Sequence, residues 1–103
     1  MYVELEMFVF DGKLEDRSFR KIINEFEKMG FRKDKFGAFI CDRYNSIGKV
    51  MEVIEETIET NARKGTGQPK VVATVYYGKG VGEDVEADVP VEHSITGFFE
   101  VNK

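Results

Sequence analysis

Residues 2–10 alternate between two kinds of side chain at every step. One set is entirely apolar and consists of Val3, Leu5, Met7 and Val9. The positions between them carry acids and aromatic rings. This period of two predicts a β-strand that buries one face against a core and leaves the other face accessible. We expect the strand to end at Asp11-Gly12, because both residue types favour turns.

Two later segments have the three- and four-residue spacing of amphipathic helices. Over residues 15–29 and 46–63, apolar side chains recur along one stripe, and charged side chains dominate the remaining positions. We expect Gly30 to end the first helix and the GTGQP stretch at residues 65–69 to break the second. We predict four further strands, because their segments are rich in β-branched or aromatic residues or alternate between polar and apolar ones. These segments are residues 36–41, 70–77, 84–91 and 94–101.

The order of these segments predicts an α+β fold, with both helices on one face of a mostly antiparallel sheet. The commonest arrangement of this kind is the ferredoxin-like sandwich, and we expect it here with an extra C-terminal β-hairpin. The 103 residues are interpreted as a single domain, residues 1–103. The strand count within residues 31–41 is open, since the FRKDK stretch could extend the second strand or form a short partner to it.

The composition is that of a folded protein, with 42% hydrophobic and 33% charged residues. The apolar run at the start of the sequence carries Glu4 and Glu6, unlike a signal peptide, and no run is long enough to predict a membrane span. Cys41 is the one cysteine, so no internal disulfide can form, and we expect a buried, unreactive thiol. These features predict a cytoplasmic protein that does not bind a membrane.

The stretch YYGKGVGEDVEADVPVEH, residues 76–93, suggests three hypotheses: a phosphate loop, a metal site and a β-hairpin. Its glycines are followed neither by Lys-Ser or Lys-Thr nor by a helical pattern, so a hairpin turn is the better interpretation. The candidate metal ligands are Asp84, Glu86, Asp88 and His93. Acids spaced about 7 Å apart along one strand are poor chelators, and an edge strand protected by charge explains them better. We therefore predict no metal and no cofactor.

Several aromatic residues are expected to share the side of the sheet away from the helices. If the apolar side of the first strand packs on the helices, Phe8 and Phe10 face away from them. Tyr76 and Phe98 join this surface if their strands keep the same phase. A surface of this kind is expected to be covered by a second subunit, a small ligand or another protein, or stacked bases.

Self-association is the interpretation that we favour for this surface. Glu4 and Glu6 share it and disfavour nucleic acid, whereas homo-oligomers are common. A second candidate interface is the apolar side of residues 84–91, with Val85 and Val89, through exchange of the hairpin between subunits. We therefore expect a non-enzymatic binding, regulatory or assembly module that forms a homo-oligomer.

An alternative function comes from a resemblance. The layout of residues 1–77 resembles that of the small CRISPR-associated and virulence-associated ferredoxin-like ribonucleases. Those enzymes carry an aspartate at the end of the first strand, where Asp11 is expected here, and paired subunits bring two such aspartates to one metal. The resemblance implies a metal-dependent nuclease or nucleic-acid-binding protein that uses Asp11, with Arg32, Lys33 and Lys35 nearby.

Overall fold

Two α-helices and a five-stranded antiparallel sheet make up the computed structural model, which describes residues 1–35, 37–78 and 93–101. In chain order the elements are β1 (Tyr2–Leu14), α1 (Asp16–Lys28), β2 (Arg32–Lys33), β3 (Phe39–Cys41), α2 (Ile47–Asn61), β4 (Lys64–Gly78) and β5 (His93–Glu100). The sheet order is β2-β3-β1-β4-β5, and every neighbouring pair is antiparallel. The predicted α+β architecture is confirmed.

The core lies between the two helices and one face of the sheet. The strands supply alternate residues that are fully buried, namely Val3, Leu5, Val71, Ala73 and Val75. The helices cover them with their apolar stripes, which include Ile22, Phe26, Val50, Ile54 and Ile58. Full burial of one such Leu, Ile or Phe side chain contributes about 1.5–3 kcal/mol. The packing of both helices on this face therefore holds the two layers together.

Local signals fix two of the helix ends. α2 begins after Ser46, whose Oγ accepts a hydrogen bond from the Lys49 N–H at 3.4 Å. After α1 the chain turns at Gly30, which takes a φ of 101°. The next N–H, that of Phe31, donates back to the Phe26 carbonyl at 3.1 Å. Gly30 therefore ends the first helix in the left-handed conformation typical of glycine, as the sequence predicts.

The predicted end of the first strand is wrong. β1 passes through Asp11-Gly12 and ends at Leu14. The expected turn residues lie opposite a bulge in β4 instead, because Asp11, with a φ of 61°, is the one β1 residue between Phe10 and Gly12, whereas Gln68 and Pro69 lie between their partners in β4. Asp and Gly suit the position opposite such a bulge within a long antiparallel pair for the same conformational reason that they suit a turn.

The GTGQP stretch, residues 65–69, was expected to break the second helix, but it lies inside β4. α2 ends at Asn61, and β4 begins at Lys64, opposite Leu14. Gly67 takes a φ of 69° and pairs with Gly12, so two glycines face each other beside the bulge. Gly67 can take this positive φ because glycine has no Cβ atom to clash with the backbone, and the irregular pairing of β1 with β4 depends on it.

Residues 31–41 form two short strands joined by a tight turn. β2 has two residues and β3 has three, so the strand predicted over residues 36–41 is confined to Phe39–Cys41. The Asp34 N–H donates to the Ala38 carbonyl at 2.8 Å, and Asp34 Oδ1 accepts from the Ala38 N–H at 2.9 Å. The FRKDK stretch therefore contributes a separate partner strand. Phe36 lies outside the described residues.

β4 and β5 confirm the strands predicted over residues 70–77 and 94–101, with somewhat different ends. They pair from Lys70–Glu100 to Tyr77–His93. The predicted strand at residues 84–91 lies outside the described residues, together with Asp84, Val85, Glu86, Asp88 and Val89. Within the described residues, no helix is long and apolar enough to cross a membrane.

Candidate functional site

The face of the sheet opposite the helices, here called the open face, is the most distinctive surface of the molecule. Its positions follow from the strand pairing, because residues directly opposite each other project to the same side. The open face includes Tyr2, Glu4, Glu6, Phe8 and Phe10 of β1, Lys70, Val72, Thr74 and Tyr76 of β4, Ser94, Thr96, Phe98 and Glu100 of β5, Ile40 of β3 and Arg32 of β2. The predicted placement of Tyr76 and Phe98 agrees with this register.

Four apolar side chains form a continuous area on the open face, here called the apolar patch: Phe8, Phe10, Val72 and Phe98. Phe8, Val72 and Phe98 stand opposite one another across three strands, and the rings of Phe8 and Phe10 lie 6.2 Å apart. The exposed fractions of the three phenylalanines are 51% for Phe8, 52% for Phe10 and 78% for Phe98. Contiguous exposed apolar surface of this kind is common at interaction sites.

A shallow depression of about 450 Å³ lies at the β5 side of the apolar patch. Phe10, Val72 and Phe98 line it from the open face, and Phe99 contributes to the lining as well. Lys70 and Glu100 are the two charged groups beside it, and they are paired residues on β4 and β5. The depression therefore offers an apolar floor with one cation and one anion at its border.

Next to the apolar patch, four neighbouring positions of β4 and β5 on the open face are polar and uncharged: Thr74, Tyr76, Ser94 and Thr96. Thr74 and Thr96 are opposite each other, and their hydroxyl oxygens lie 3.1 Å apart. Tyr76 is half-buried and stands between Glu4 and Ser94. This part of the face therefore adds a polar contact between β4 and β5 beside the apolar patch.

The β1 side of the open face is acidic. Burial raises the pKa of Glu4 above its ordinary value, and the carboxylates of Asp34 and Glu6 raise it further. Burial also raises the pKa of Tyr2, with smaller contributions from Glu4 and Asp34 and an opposing one from Arg32. Arg32 shares this side of the face, because it stands opposite Ile40, which stands opposite Glu4.

Asp11, the residue suggested by the nuclease resemblance, lies in β1 opposite the bulge of β4. Its carboxylate is largely exposed, and Oδ2 lies 4.0 Å from Lys70 Nζ. The basic segment is far from it, because Lys33 pairs with Phe39, which pairs with Leu5. Asp11 follows Leu5 by six positions, a separation of about 20 Å along a strand. A single chain therefore does not bring Asp11 together with Lys33.

The other candidate residues do not converge within the described part of the chain. His93 packs beside Tyr77, with the two ring centroids 5.2 Å apart. No group of three or more His, Cys, Asp or Glu residues suited to a metal ion occurs in residues 1–35, 37–78 and 93–101. Cys41 is buried, and its Sγ accepts from the Arg43 N–H at 3.5 Å, as expected for a structural thiol.

The sequence interpretation missed Val72, Lys70, Phe99 and Glu100 as parts of this surface. β4 carries apolar residues on both faces in its KVVATVYY stretch, which hides the alternation that marks an open-face position. A signal was present, because Val72 is in phase with Thr74 and Tyr76. The depression itself depends on the pairing of β4 with β5, which no local pattern specifies.

Comparisons with protein-family models, curated proteins and solved structures found no match to this chain. The apolar patch is the feature that any function must account for, because exposed aromatic rings in contact with one another are costly to leave in water.

Proposed function

We propose that this chain is a small cytoplasmic binding or assembly module that self-associates through its sheet. The observation that carries the proposal is the apolar patch, with three phenylalanines at least half exposed on one face. Aromatic side chains dominate the energetics of protein interfaces. A second copy of the chain presents the same patch, so a two-fold arrangement lets each copy cover apolar surface of the other.

The fold that we propose for this module is the ferredoxin-like sandwich, extended by one strand. Its support is the order β1-α1-β2-β3-α2-β4, which is the β-α-β-β-α-β sequence of that fold. β1 is central, with β3 on one side and β4 on the other, and β5 is added beyond β4. In residues 1–35, 37–78 and 93–101, this arrangement places both helices on one face of the sheet and none on the open face, which supports association through the open face.

The test is the mass of the protein in solution, measured by sedimentation equilibrium over a range of micromolar concentrations. We expect a dimer that dissociates on dilution. Phe98→Ala should raise its dissociation constant at least about tenfold, because each dimer would lose two buried aromatic contacts.

Phe19→Ala is the matched control, since Phe19 is also a large exposed apolar residue, at 42%, but lies on α1. This variant should associate like the unchanged protein. A strict monomer at every concentration would reject self-association, and an equal effect of the two substitutions would show that the apolar patch is not the surface involved.

A further inference from the structure

A polar cleft lies where the start of α1 meets the end of α2. The backbone N–H of Glu15, which precedes α1, donates to the carbonyl of Arg63, which follows α2, at 2.9 Å. A depression of about 250 Å³ opens beside this contact and is here called the basic cleft. Both junctions contribute to its lining, which includes Glu15, Arg17, Ser18, Lys21, Asn61 and Arg63.

The basic cleft carries more positive than negative charge. Arg17, Lys21 and Arg63 bring three cations to it, and Glu15 brings one carboxylate. None of the three cations has a carboxylate oxygen within 4.0 Å among the residues that the structure describes. Because Arg17 and Lys21 are four residues apart on α1, they repel each other. An anion bound in the cleft would relieve that repulsion.

The N-terminus of α1 faces the same cleft. The first hydrogen bond of the helix runs from the Phe19 N–H to the Glu15 carbonyl at 3.0 Å, and the Glu15 side chain makes no capping hydrogen bond. The N–H groups of Asp16, Arg17 and Ser18 therefore have no partner within the helix. Such N–H groups, together with the dipole of the helix, attract anions.

Ser18 gives an independent indication that a ligand belongs in the basic cleft. The residue is only 5% exposed, and its hydroxyl makes no hydrogen bond within residues 1–35, 37–78 and 93–101. A buried hydroxyl normally has a partner, because burial without one is costly. Every fully enclosed side-chain nitrogen or oxygen in the described part of the chain does have one. The Ser18 hydroxyl therefore keeps an opening, and that opening is the cleft that Ser18 lines.

The end of α2 does not oppose an anion here, because its last carbonyls are occupied. The Ala62 N–H donates to the Ile58 carbonyl at 2.8 Å, and Asn61 Nδ2 donates to the Thr57 carbonyl at 2.8 Å. Arg63 Nη1 donates to the Ala62 carbonyl at 2.7 Å. A guanidinium has five N–H donors, so this bond positions Arg63 and leaves other donors for a ligand.

Chain length keeps residues 79–92 away from the basic cleft. These residues join Gly78 to His93, at the end of β4 that is far from Arg63. A segment of 14 residues that is fixed at both ends extends at most about 25 Å. The length of β4, with its 15 residues, is about 40 Å. That segment therefore cannot cover the cleft.

We propose that the basic cleft binds the phosphate group of a small phosphorylated molecule. Such a group carries close to two negative charges at neutral pH and has three acceptor oxygens. A carboxylate has one charge and two oxygens, which a single arginine can satisfy. Here α1 contributes backbone N–H groups, the Ser18 hydroxyl and two cations, and the end of α2 contributes Arg63. The site goes beyond the self-association proposed above, because none of these groups belongs to the open face.

The test is a titration with methyl phosphate, followed by NMR of the backbone N–H groups. At about pH 7.5 most of this probe is a dianion, and added chloride holds the ionic strength constant. The N–H signals of Asp16, Arg17 and Ser18 should shift saturably, with a dissociation constant of about 1 mM or below. Acetate should bind at least about tenfold more weakly, because it has one charge and fewer acceptors.

Arg17→Gln should raise the dissociation constant for methyl phosphate at least about fivefold, because it removes a cation of the cleft. Arg20→Gln is the matched control. It removes the same charge from the same helix, but Arg20 lines a different depression, beside Phe19. Because exposed charges outside the site are screened, this variant should change the dissociation constant less than about twofold.

Ser18→Ala tests the buried hydroxyl. It should raise the dissociation constant for methyl phosphate about threefold, through the loss of one hydrogen bond to the ligand. The melting temperature without ligand should stay nearly unchanged, because the hydroxyl has no partner in the described part of the chain to lose.

Saturable shifts at the start of α1 that Arg17→Gln weakens and Arg20→Gln does not weaken would support the phosphate site. Equal weakening by both variants would reveal only a general attraction to positive charge and would overturn it. Binding of acetate as tightly as methyl phosphate, or shifts that never saturate, would overturn it as well. These results do not depend on whether the chain self-associates, so the two proposals fail separately.

Discussion

Gly12 allows the backbones of β1 and β4 to approach closely beside the bulge. A Cβ atom at this position would collide with the Thr66 carbonyl oxygen and would lie 2.9 Å from the Pro69 nitrogen. We expect Gly12→Ala to lower the free energy of unfolding by about 1–3 kcal/mol, because the strands must separate to admit the methyl group. Urea unfolding followed by circular dichroism measures the change.

Gly48→Ala provides the comparison for that substitution. Position 48 lies within α2, and an added Cβ would meet only Ser46 Oγ at 3.6 Å, an ordinary contact. Alanine is favoured over glycine in helices by about 0.5–1 kcal/mol, so this variant should be slightly more stable than the unchanged protein. Destabilisation of both variants by the same amount would mean that the close approach at Gly12 does not matter.

Glu4 makes a contribution to stability that depends on pH. Burial and nearby carboxylates raise its pKa above the ordinary value of 4.5, so the folded chain holds a proton at Glu4 more readily than the unfolded chain. Stability from this group is therefore fully present below the ordinary pKa and is lost as the pH rises through the raised pKa.

Glu4→Gln should remove the loss of stability that ionisation of Glu4 causes as the pH rises. We expect the variant to have a higher free energy of unfolding than the unchanged protein at about pH 7 and nearly the same value at about pH 3, where the glutamate is protonated. The difference should be small, since Glu4 is only partly buried and water screens its charge. Urea titrations at the two pH values measure it. If the free energies of unfolding of the two proteins differ by the same amount at both pH values, the effect comes from packing rather than from charge.

At the scale of elements, the sequence predicts the features that one segment determines by itself. It misses the features that depend on how two strands pair. Both helices and the buried face of β1 follow from apolar spacing, which a single segment contains. The end of β1 and the role of residues 65–69 do not, because turn-prone residues are held within a bulged strand pair only when another strand lies alongside. β2 and β3 are too short to give a periodic pattern, so their number becomes evident only from the hydrogen bonds between Asp34 and Ala38.

The same distinction applies to the candidate site. Phe8 and Phe10 are identified as outward-facing by the alternation of β1 alone. The alignment of Phe8 with Val72 and Phe98 across three strands depends on a register between strands that are far apart in the chain. The charged groups beside the apolar floor, Lys70 and Glu100, also come together only through that register. Sequence reasoning therefore finds the aromatic members of the surface but not its shape.

At the scale of the whole molecule, self-association links stability to protein concentration. A partner that binds the folded but not the unfolded chain raises the melting temperature as its concentration increases. We expect the melting temperature to rise between about 1 and 100 µM protein, and to rise much less for Phe98→Ala. Differential scanning calorimetry at several concentrations measures this. A melting temperature that is independent of concentration in both proteins would contradict the proposed dimer.

The position of β1 between β3 and β4 also has a consequence for how the chain reaches its folded state. β1 precedes both of its neighbours in sequence, and its longest ladder joins Tyr2 to Gly78. Closure of such a long segment carries an entropic cost that must be met before the ladder can form, so a high contact order and slow folding are expected. During synthesis on the ribosome, the alternating apolar residues of β1 must wait for β4 to emerge before the central pair of the sheet can assemble.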